Sequence, residues 1–317
     1  MSKKSSNFAS KINTSMKKFF ILAVVALVAM GTNAQNVTKM RVWIGDQVAY
    51  QKDIAHVDSI TFVQIVDGAL SGEFSISEEK KVHFSKGNLQ YQATTDTWRF
   101  AAEQYDMIGD LNSKISSSYS GWIDLFGWGT GNNPTKSGTA SYSYDTFVDW
   151  GTNAISNGGN EANKWRTLSS EEWEYILFSR TNAATLFGLG SVNGIKGVIL
   201  LPDDWQLPKG ITFTASTTKG LKNIGDMYWN DEGDNFSHNA FTIEQWYMME
   251  AAGAVFLPAA GYRWGMVMHD VGERGYYYTT TPYNGIIAYF LFFGPYTFHA
   301  EGSNNERNCG MSVRLVR

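Results

Sequence analysis

The stretch Trp165-Arg166-Thr167-Leu168-Ser169-Ser170-Glu171-Glu172-Trp173-Glu174-Tyr175 decides the fold. Ser169 followed three residues later by Glu172 is a capping box. The serine hydroxyl accepts from the third helical N–H, and the carboxylate reaches back to the serine N–H. Trp173, Ile176, Leu177 and Arg180 follow at helical spacing, so a short helix with one apolar face begins here. A second helix begins at Thr242, where Gln245 completes a similar box. Ile243, Trp246 and Tyr247 share one of its faces, and Gly253 supplies a stop.

Outside these helices the pattern is strand and loop. Phe74–Ser77, Lys81–Ser85, Leu89–Tyr91 and Thr97–Phe100 alternate like strands near the start. Near the end, Ala254–Leu257, Tyr276–Thr281 and Ile286–Phe293 are strand candidates. Met311–Arg317 alternates well enough for a strand with one buried face. A terminal strand must pair to be ordered, most simply with strands from the start of the same domain. Residues 129–164, rich in Gly, Ser, Asn and Thr, read as long ordered loops pinned by Tyr142, Tyr144, Phe147 and Trp150. Two helices, scattered strands and long loops define an α+β domain over 73–317. Residues 67–72 read as a linker. Residues 35–66 read as a small β unit, with strands at Met40–Ile44 and Val57–Phe62 around a Gly45-Asp46 turn.

The chain has 317 residues, 43% of them hydrophobic and 15% aromatic, which suffices for a sizeable core. Its formal charge is −4. Five lysines fall within residues 1–34, leaving 21 of the 26 basic groups against 30 acidic ones, a net of −9 for the remainder. That balance argues against nucleic acid as a partner. Lys17-Lys18, the apolar run Phe19–Met30 and the small residues before Ala34 follow the order of a secretory signal peptide, so 1–34 is expected to be cleaved. The apolar run is too short to span a bilayer, and no transmembrane segment is expected after cleavage. The expected location is extracellular, cell-surface or periplasmic. The only cysteine, Cys309, has no partner for a disulfide or a cysteine zinc cluster.

The helix signature Trp165–Tyr175 resembles that of the formylglycine-generating, sulfatase-modifying family, which uses a C-type-lectin-like fold. Gly275–Thr281 and Cys309–Val316 resemble the Fibrobacter succinogenes major paralogous domain, commonly assigned to the same fold. Phe84–Tyr91, Leu200–Trp205 and Ala251–Arg263 resemble secreted proteins of Bacteroidales. The resemblance implies a C-type-lectin-like domain over roughly 70–317. Some proteins of this type resemble the variable proteins of diversity-generating retroelements, in which a C-terminal surface is rewritten on a fixed scaffold. On that implication Gly261, Arg263, Gly272, Gly275, Tyr289, Leu291, Gly310, Val313 and Arg314 are scaffold. The chemically unlike neighbours Trp264, Met268, His269, Glu273, Arg274, Tyr283, Phe290, Phe292 and Tyr296 are surface.

The formylglycine-generating reaction needs two cysteines, so the resemblance implies the fold without that activity. No complete catalytic constellation stands out. Asp203-Asp204 and Glu171-Glu172 are adjacent in sequence, the five histidines are scattered, and no GxSxG elbow is present. Trp229-Asn230-Asp231 matches a tripeptide of sugar-binding C-type lectins, and Asn230, Asp231, Glu232 and Asp234 offer oxygen ligands suited to Ca²⁺. A solvated loop is the competing reading, since the companion EPN or QPD motif is missing. No other cofactor is expected.

The strongest functional signal is aromatic. Ile286–Phe293 is apolar on both parities. One parity (Tyr289, Leu291, Phe293) is expected to feed the core. The other (Ala288, Phe290, Phe292) is expected to be covered by loops, another subunit or a ligand, so the Phe290 and Phe292 rings should be dispensable for folding. Aromatic anchors bury about 150–250 Å² each at little entropic cost. The expected recognition surface comprises Trp264, Met266, Met268, His269, Glu273, Arg274, Tyr276, Tyr283, Phe290, Phe292, Tyr296, His299, Asn308 and Met311. The expected function is non-enzymatic binding of a protein or glycan, as in a receptor or adhesin. A calcium-dependent lectin of fixed specificity and a structural surface protein are the alternatives.

Overall fold

The computed structural model describes residues 39–44, 47–53, 55, 67–139, 146–216, 236–295, 297–302 and 305–317. The chain divides into two units, Met1–Phe62 and Val63–Arg317. In the first, β1 (Lys39–Ile44) pairs antiparallel with β2 (Gln47–Asp53). The expected β1 strand is present, and its partner is β2. The expected strand at 57–62 lies outside the described residues.

The second unit is α+β, built of small sheets that are mostly antiparallel. It opens with β3 (Phe74–Ser75) against β4 (Lys81–Val82). Next, β5 (Leu89–Gln92) is flanked by β6 (Thr97–Phe100) and β7 (Trp122–Ile123). The capping box at Ser169 forms as the sequence predicts. Ser169 Oγ accepts from the Glu172 N–H at 3.2 Å, and Glu172 Oε2 accepts from the Ser169 N–H at 2.9 Å. It starts α1 (Ser170–Glu174), which widens into a π turn over Tyr175–Ser179. Arg166 donates both guanidinium nitrogens to Glu172, at 2.7 and 2.8 Å, which fixes the approach to the helix.

A four-stranded sheet follows, in the order β10-β8-β9-β11. It consists of β8 (Phe187–Val192), β9 (Ile195–Leu200), β10 (Ala240–Phe241) and β11 (Val255–Pro258). Helix α2 (Ile243–Ala251) starts at the Thr242–Gln245 box, and its Trp246 and Met249 pack with Val192, Ile199 and Phe256 of this sheet. Tyr247, expected on the same face as Trp246, is 46% exposed.

The last third holds the hairpin β12 (Tyr262–Trp264) and β13 (Val267–His269). It then forms a three-stranded antiparallel sheet of β14 (Gly275–Pro282), β15 (Ala288–Gly294) and β16 (Thr297–Gly302). This sheet lies between two core clusters, and its register shows why. Tyr277 pairs with Leu291 and Gly275 with Phe293, and Tyr277, Leu291 and Phe293 belong to one cluster with Phe74, Phe84 and Trp173. Tyr276 pairs with Phe292 and Tyr278 with Phe290. Tyr276, Tyr278 and Phe290 belong to the other cluster with Trp98, Phe126 and Trp150, and Phe292 packs against it half-buried. Both faces of β15 are thus covered by the domain itself. Each fully buried ring contributes about 1.5–3 kcal/mol.

The C-terminal segment pairs with the start of the same unit. The Ser85 N–H donates to Leu315 O at 2.9 Å, the Leu89 N–H to Val313 O at 3.0 Å, and the Arg317 N–H to His83 O at 3.0 Å. Residues 311–316 are buried on both parities, not on one face as expected. On the polar parity the Arg314 guanidinium is held by two side chains of the same unit. Arg314 donates to Asn88 Oδ1 at 3.3 Å and Gln104 Oε1 at 2.7 Å.

Asp124 is fully buried and has no cation among its bonded partners. Its carboxylate accepts from the Ile108 N–H at 2.8 Å and Asn112 Nδ2 at 2.7 Å. Burial raises its pKa from 3.8 to about 6, against the pull of those donors. A carboxyl raised on folding favours the native state below its unfolded pKa, and that contribution is lost as pH rises through the folded value. Relative to Asp124→Asn, which does not titrate, the wild-type protein should lose about 2–3 kcal/mol between pH 4 and pH 7. Urea midpoints of both proteins at the two pH values measure this. A wild-type-minus-variant difference that does not change with pH would refute it.

Candidate ligand-binding face

Nine large hydrophobic side chains are exposed among the described residues, and five of them lie within 264–286. Trp264 (47% exposed), Met266 (52%) and Val267 (57%) form the tip of the β12–β13 hairpin, and Tyr283 (53%) and Ile286 (42%) lie on the β14–β15 connection. A sixth, Leu111, is on the turn Gly109–Lys114, which packs beside β13.

The two tips are held by one backbone segment, Arg307–Gly310. The Gly310 N–H donates to Arg263 O at 2.7 Å, and the Arg263 N–H returns a bond to Gly310 O at 2.9 Å. The Arg307 N–H donates to Ile286 O at 2.8 Å, and Arg307 Nε donates to Ile287 O at 3.2 Å. A further Arg307 nitrogen donates to Asn284 O. The guanidinium carbon sits 4.1 Å from the centre of the Trp128 ring. Arg263, fully buried, donates to Gly265 O at 2.6 Å, inside the turn that presents Met266. A third loop joins them. Asn308 Nδ2 donates to Gly138 O at 3.1 Å, and a Cβ on Gly265 would lie 2.8 Å from Thr139. The exposed apolar residues therefore stand on turns fixed from beneath by two arginines.

The predicted residues separate into several groups. Trp264, Met266, Glu273 and Tyr283 are exposed. Met268, His269, Arg274, Phe292 and His299 are half-buried. An aromatic row links several of these. His269 stacks on Tyr262 at 4.8 Å, Tyr262 meets Tyr276 edge-on at 4.9 Å, Tyr276 lies 4.9 Å from Phe292, and Phe292 stacks on His299 at 6.1 Å. Burial pushes the His299 pKa down, favouring the neutral ring. Tyr296 lies outside the described residues.

Four predicted residues are core and are corrected here. Tyr276 is buried and donates its hydroxyl to Asp270 at 2.6 Å. Phe290 and Met311 are fully buried in the cluster around Trp150. Asn308 is buried against Gly138. The cause is the two-sided packing of β15 and of the C-terminal segment, which alternation alone does not reveal. Val267, and the supports Arg307 and Trp128, were missed. Val267 sits in a visible apolar pattern, but nothing local in Asn305-Glu306-Arg307-Asn308 marks Arg307.

Cys309 is buried, and burial raises its thiol pKa to about 11, so it stays protonated near neutral pH. Among the described residues no group of three or more His, Cys, Asp or Glu side chains is placed to hold a metal ion. Asn230, Asp231, Glu232 and Asp234 lie outside the described residues. Among the described residues no helix is long and apolar enough to cross a membrane. A separate open depression is lined by Lys80, Asp149, Arg166, Glu171 and Tyr175, but there Arg166 is committed to Glu172 and Asp149 to Thr167. Compared with known proteins, the chain matches no family model, no curated protein and no solved structure.

Proposed function

We propose that this chain is an exported, non-enzymatic ligand-binding protein whose larger unit is a C-type-lectin-like domain. Its recognition face is formed by the β12–β13 tip and the β14–β15 connection. One observation carries the reading. Between residues 261 and 314, most buried and exposed positions separate as a fixed scaffold and a presented surface would. Gly261, Arg263, Gly275, Leu291, Gly310, Val313 and Arg314 are buried, whereas Trp264, Glu273 and Tyr283 are exposed and Met268, His269, Arg274 and Phe292 half-buried; the exceptions are Gly272 and Tyr289 of the expected scaffold, which are half-buried, and Phe290 of the expected surface, which is buried. The short, mostly antiparallel sheets, the two α-helices among the described residues and the ordered loops are compatible with the lectin-like fold. The first 34 residues serve as the export signal in this reading, and the ligand is a protein or a glycan.

The same separation makes the face suited to diversification by a retroelement. Sequencing the locus in several isolates tests this. The expected result is a near-copy of the segment encoding 261–317 beside a reverse transcriptase, with differences confined to the exposed and half-buried positions. Identical C-terminal segments in every isolate, or changes spread through the buried set, would overturn diversification.

A further inference from the structure

We infer that Asn284–Gly285, on the β14–β15 connection, is a self-modifying site, at which the Asn284 side-chain amide is converted to aspartate and isoaspartate with water as the only co-reactant. The backbone nitrogen that follows an asparagine can attack the side-chain amide, and glycine leaves that approach open because it has no Cβ. Three Asn–Gly pairs fall among the described residues, at 157, 193 and 284, and their surroundings differ. Asn157 is locked. Its Oδ1 accepts from the Phe100 N–H at 2.7 Å and its Nδ2 donates to Phe100 O at 2.9 Å. The nitrogen that would attack it, that of Gly158, donates to Ile155 O at 2.8 Å. Asn193 is exposed, but it sits in the two-residue turn of the β8–β9 hairpin, with φ of 50° there and 80° at Gly194. The ladder Val192–Ile195 and Ser191–Lys196 closes directly behind it, and its side chain has no hydrogen-bond partner among the described residues.

At Asn284 the same groups are arranged for reaction. Asn284 and Gly285 are both exposed, and the Gly285 N–H has no acceptor among the described residues. Attack of the Gly285 nitrogen on Asn284 Cγ pushes an electron pair onto Oδ1. That oxygen already accepts from the Ile286 N–H at 2.9 Å and the Ile287 N–H at 2.8 Å, so the developing charge meets two fixed donors. An Arg307 nitrogen donates to Asn284 O, the carbonyl of the peptide group that must give up the Gly285 proton. A guanidinium there favours the deprotonated peptide. The Gly285 proton passes to hydroxide, the N–Cγ bond forms, the Cγ–Nδ2 bond breaks, and Nδ2 takes a proton from water and leaves as ammonia. Water then opens the cyclic imide. Attack at Cγ gives aspartate, and attack at the Asn284 carbonyl carbon gives isoaspartate; nothing is oxidised or reduced. Either product puts a carboxylate beside Tyr283 and Ile286. Isoaspartate also lengthens the main chain inside a connection where Ile287 O accepts from the Tyr283 and Asn284 N–H groups at 3.0 and 3.1 Å, so the two presented side chains must move.

The site stands whatever the face binds, and its test needs no ligand. The full chain is incubated in mildly alkaline buffer, folded and in denaturing urea, then digested and mapped by mass spectrometry, with aspartate and isoaspartate separated as two peptides of equal mass. Asn193 and Asn284 are each followed by Gly-Ile, so in urea they should convert at like rates. Folding should slow Asn157 and Asn193 by about tenfold or more, whereas Asn284 should convert at its unfolded rate or faster. Gly285→Ala is the matched variant. A Cβ at 285 meets nothing within 4 Å, so the fold is kept, and conversion at 284 should slow by about tenfold because the methyl group hinders the attacking nitrogen. Equal rates at Asn193 and Asn284 in the folded chain, whether both fast or both slow, would overturn the inference. Unchanged conversion at 284 in Gly285→Ala would overturn it too, since the Gly285 nitrogen would then not be the nucleophile.

Discussion

Phe290→Ala should destabilise the larger unit by about 3–5 kcal/mol, the range for deleting a buried phenyl ring from a packed core. Phe290 is fully buried, pairs across the sheet with Tyr278, and lies 5.8 Å from the Tyr276 ring in the cluster that also holds Trp98, Phe126 and Trp150. The void would open between sheet and loops, where Trp150 is itself fully buried and cannot swing in without losing its own contacts with Phe147 and Tyr278. Against a total stability of roughly 5–15 kcal/mol, the loss is severe. Phe292→Ala, two residues along on a half-buried ring, should cost only about 1–2 kcal/mol. Urea unfolding measures both, with the midpoint shifted and the slope kept. A Phe290→Ala loss below about 1 kcal/mol would mean that this ring faces a removable cover and not the core.

That contrast shows what the sequence could and could not reveal about the fold. Both helix starts were legible because capping boxes are local: four consecutive residues suffice, and Ser169–Glu172 and Thr242–Gln245 form as read. The early strands were legible from alternation. The double apolar parity of β15 was also legible, but not what covers each side. Cover is supplied by Trp98, Phe126 and Trp150 on one side and by Phe74 and Trp173 on the other, far away in the chain. The hairpin β8–β9 was passed over although Asn193-Gly194, both with positive φ (50° and 80°), is a strong turn signal. Gly188, Gly190 and Gly197 weaken the strand pattern around it. They are needed there, because a Cβ on Gly190 would lie 2.6 Å from Asn239 O and one on Gly197 2.4 Å from Leu257 O.

The candidate site was legible in the same uneven way. Trp264, Met266 and Tyr283 stood out as large apolar residues beside turn signals, and all three are exposed. The machinery beneath them was not legible. Arg263 and Arg307 look like surface cations in sequence, yet their side chains bond loop carbonyls, and Arg307 lies over Trp128. A buried guanidinium is acceptable only when carbonyls or rings receive its donors, and those partners come from Gly265, Asn284, Ile287 and Trp128, at sequence separations from 2 to 179. Only the folded chain brings them together.

The largest local effect on that machinery should come from Gly261→Ala. Gly261 has φ +68° at the point where the chain leaves β11 for β12, and its N–H donates to Arg274 O at 2.9 Å. A Cβ there would lie 2.1 Å from His269 O and 2.8 Å from the Val271 nitrogen. Both are backbone atoms, so no rotamer change relieves the overlap, and the hairpin must move. Left-handed strain of about 1–2 kcal/mol and an overpacking penalty of about 1–3 kcal/mol give an expected loss of about 2–5 kcal/mol. Gly272→Ala separates the two contributions. Gly272 has φ +76°, but a Cβ on it meets nothing within 4 Å. It should show the strain alone, about 1–2 kcal/mol. Amide exchange gives the local readout, because moving the hairpin breaks the reciprocal Arg263–Gly310 pair and frees both N–H groups. Fast exchange at Arg263 and Gly310 in Gly261→Ala, with protection kept in Gly272→Ala, is the expected pattern. Equal losses in the two variants would show that strain, not the close approach of His269, dictates glycine at 261. The hairpin carrying Trp264 and Met266 would then be free to shift without unfolding, and the presented face would be adjustable instead of fixed.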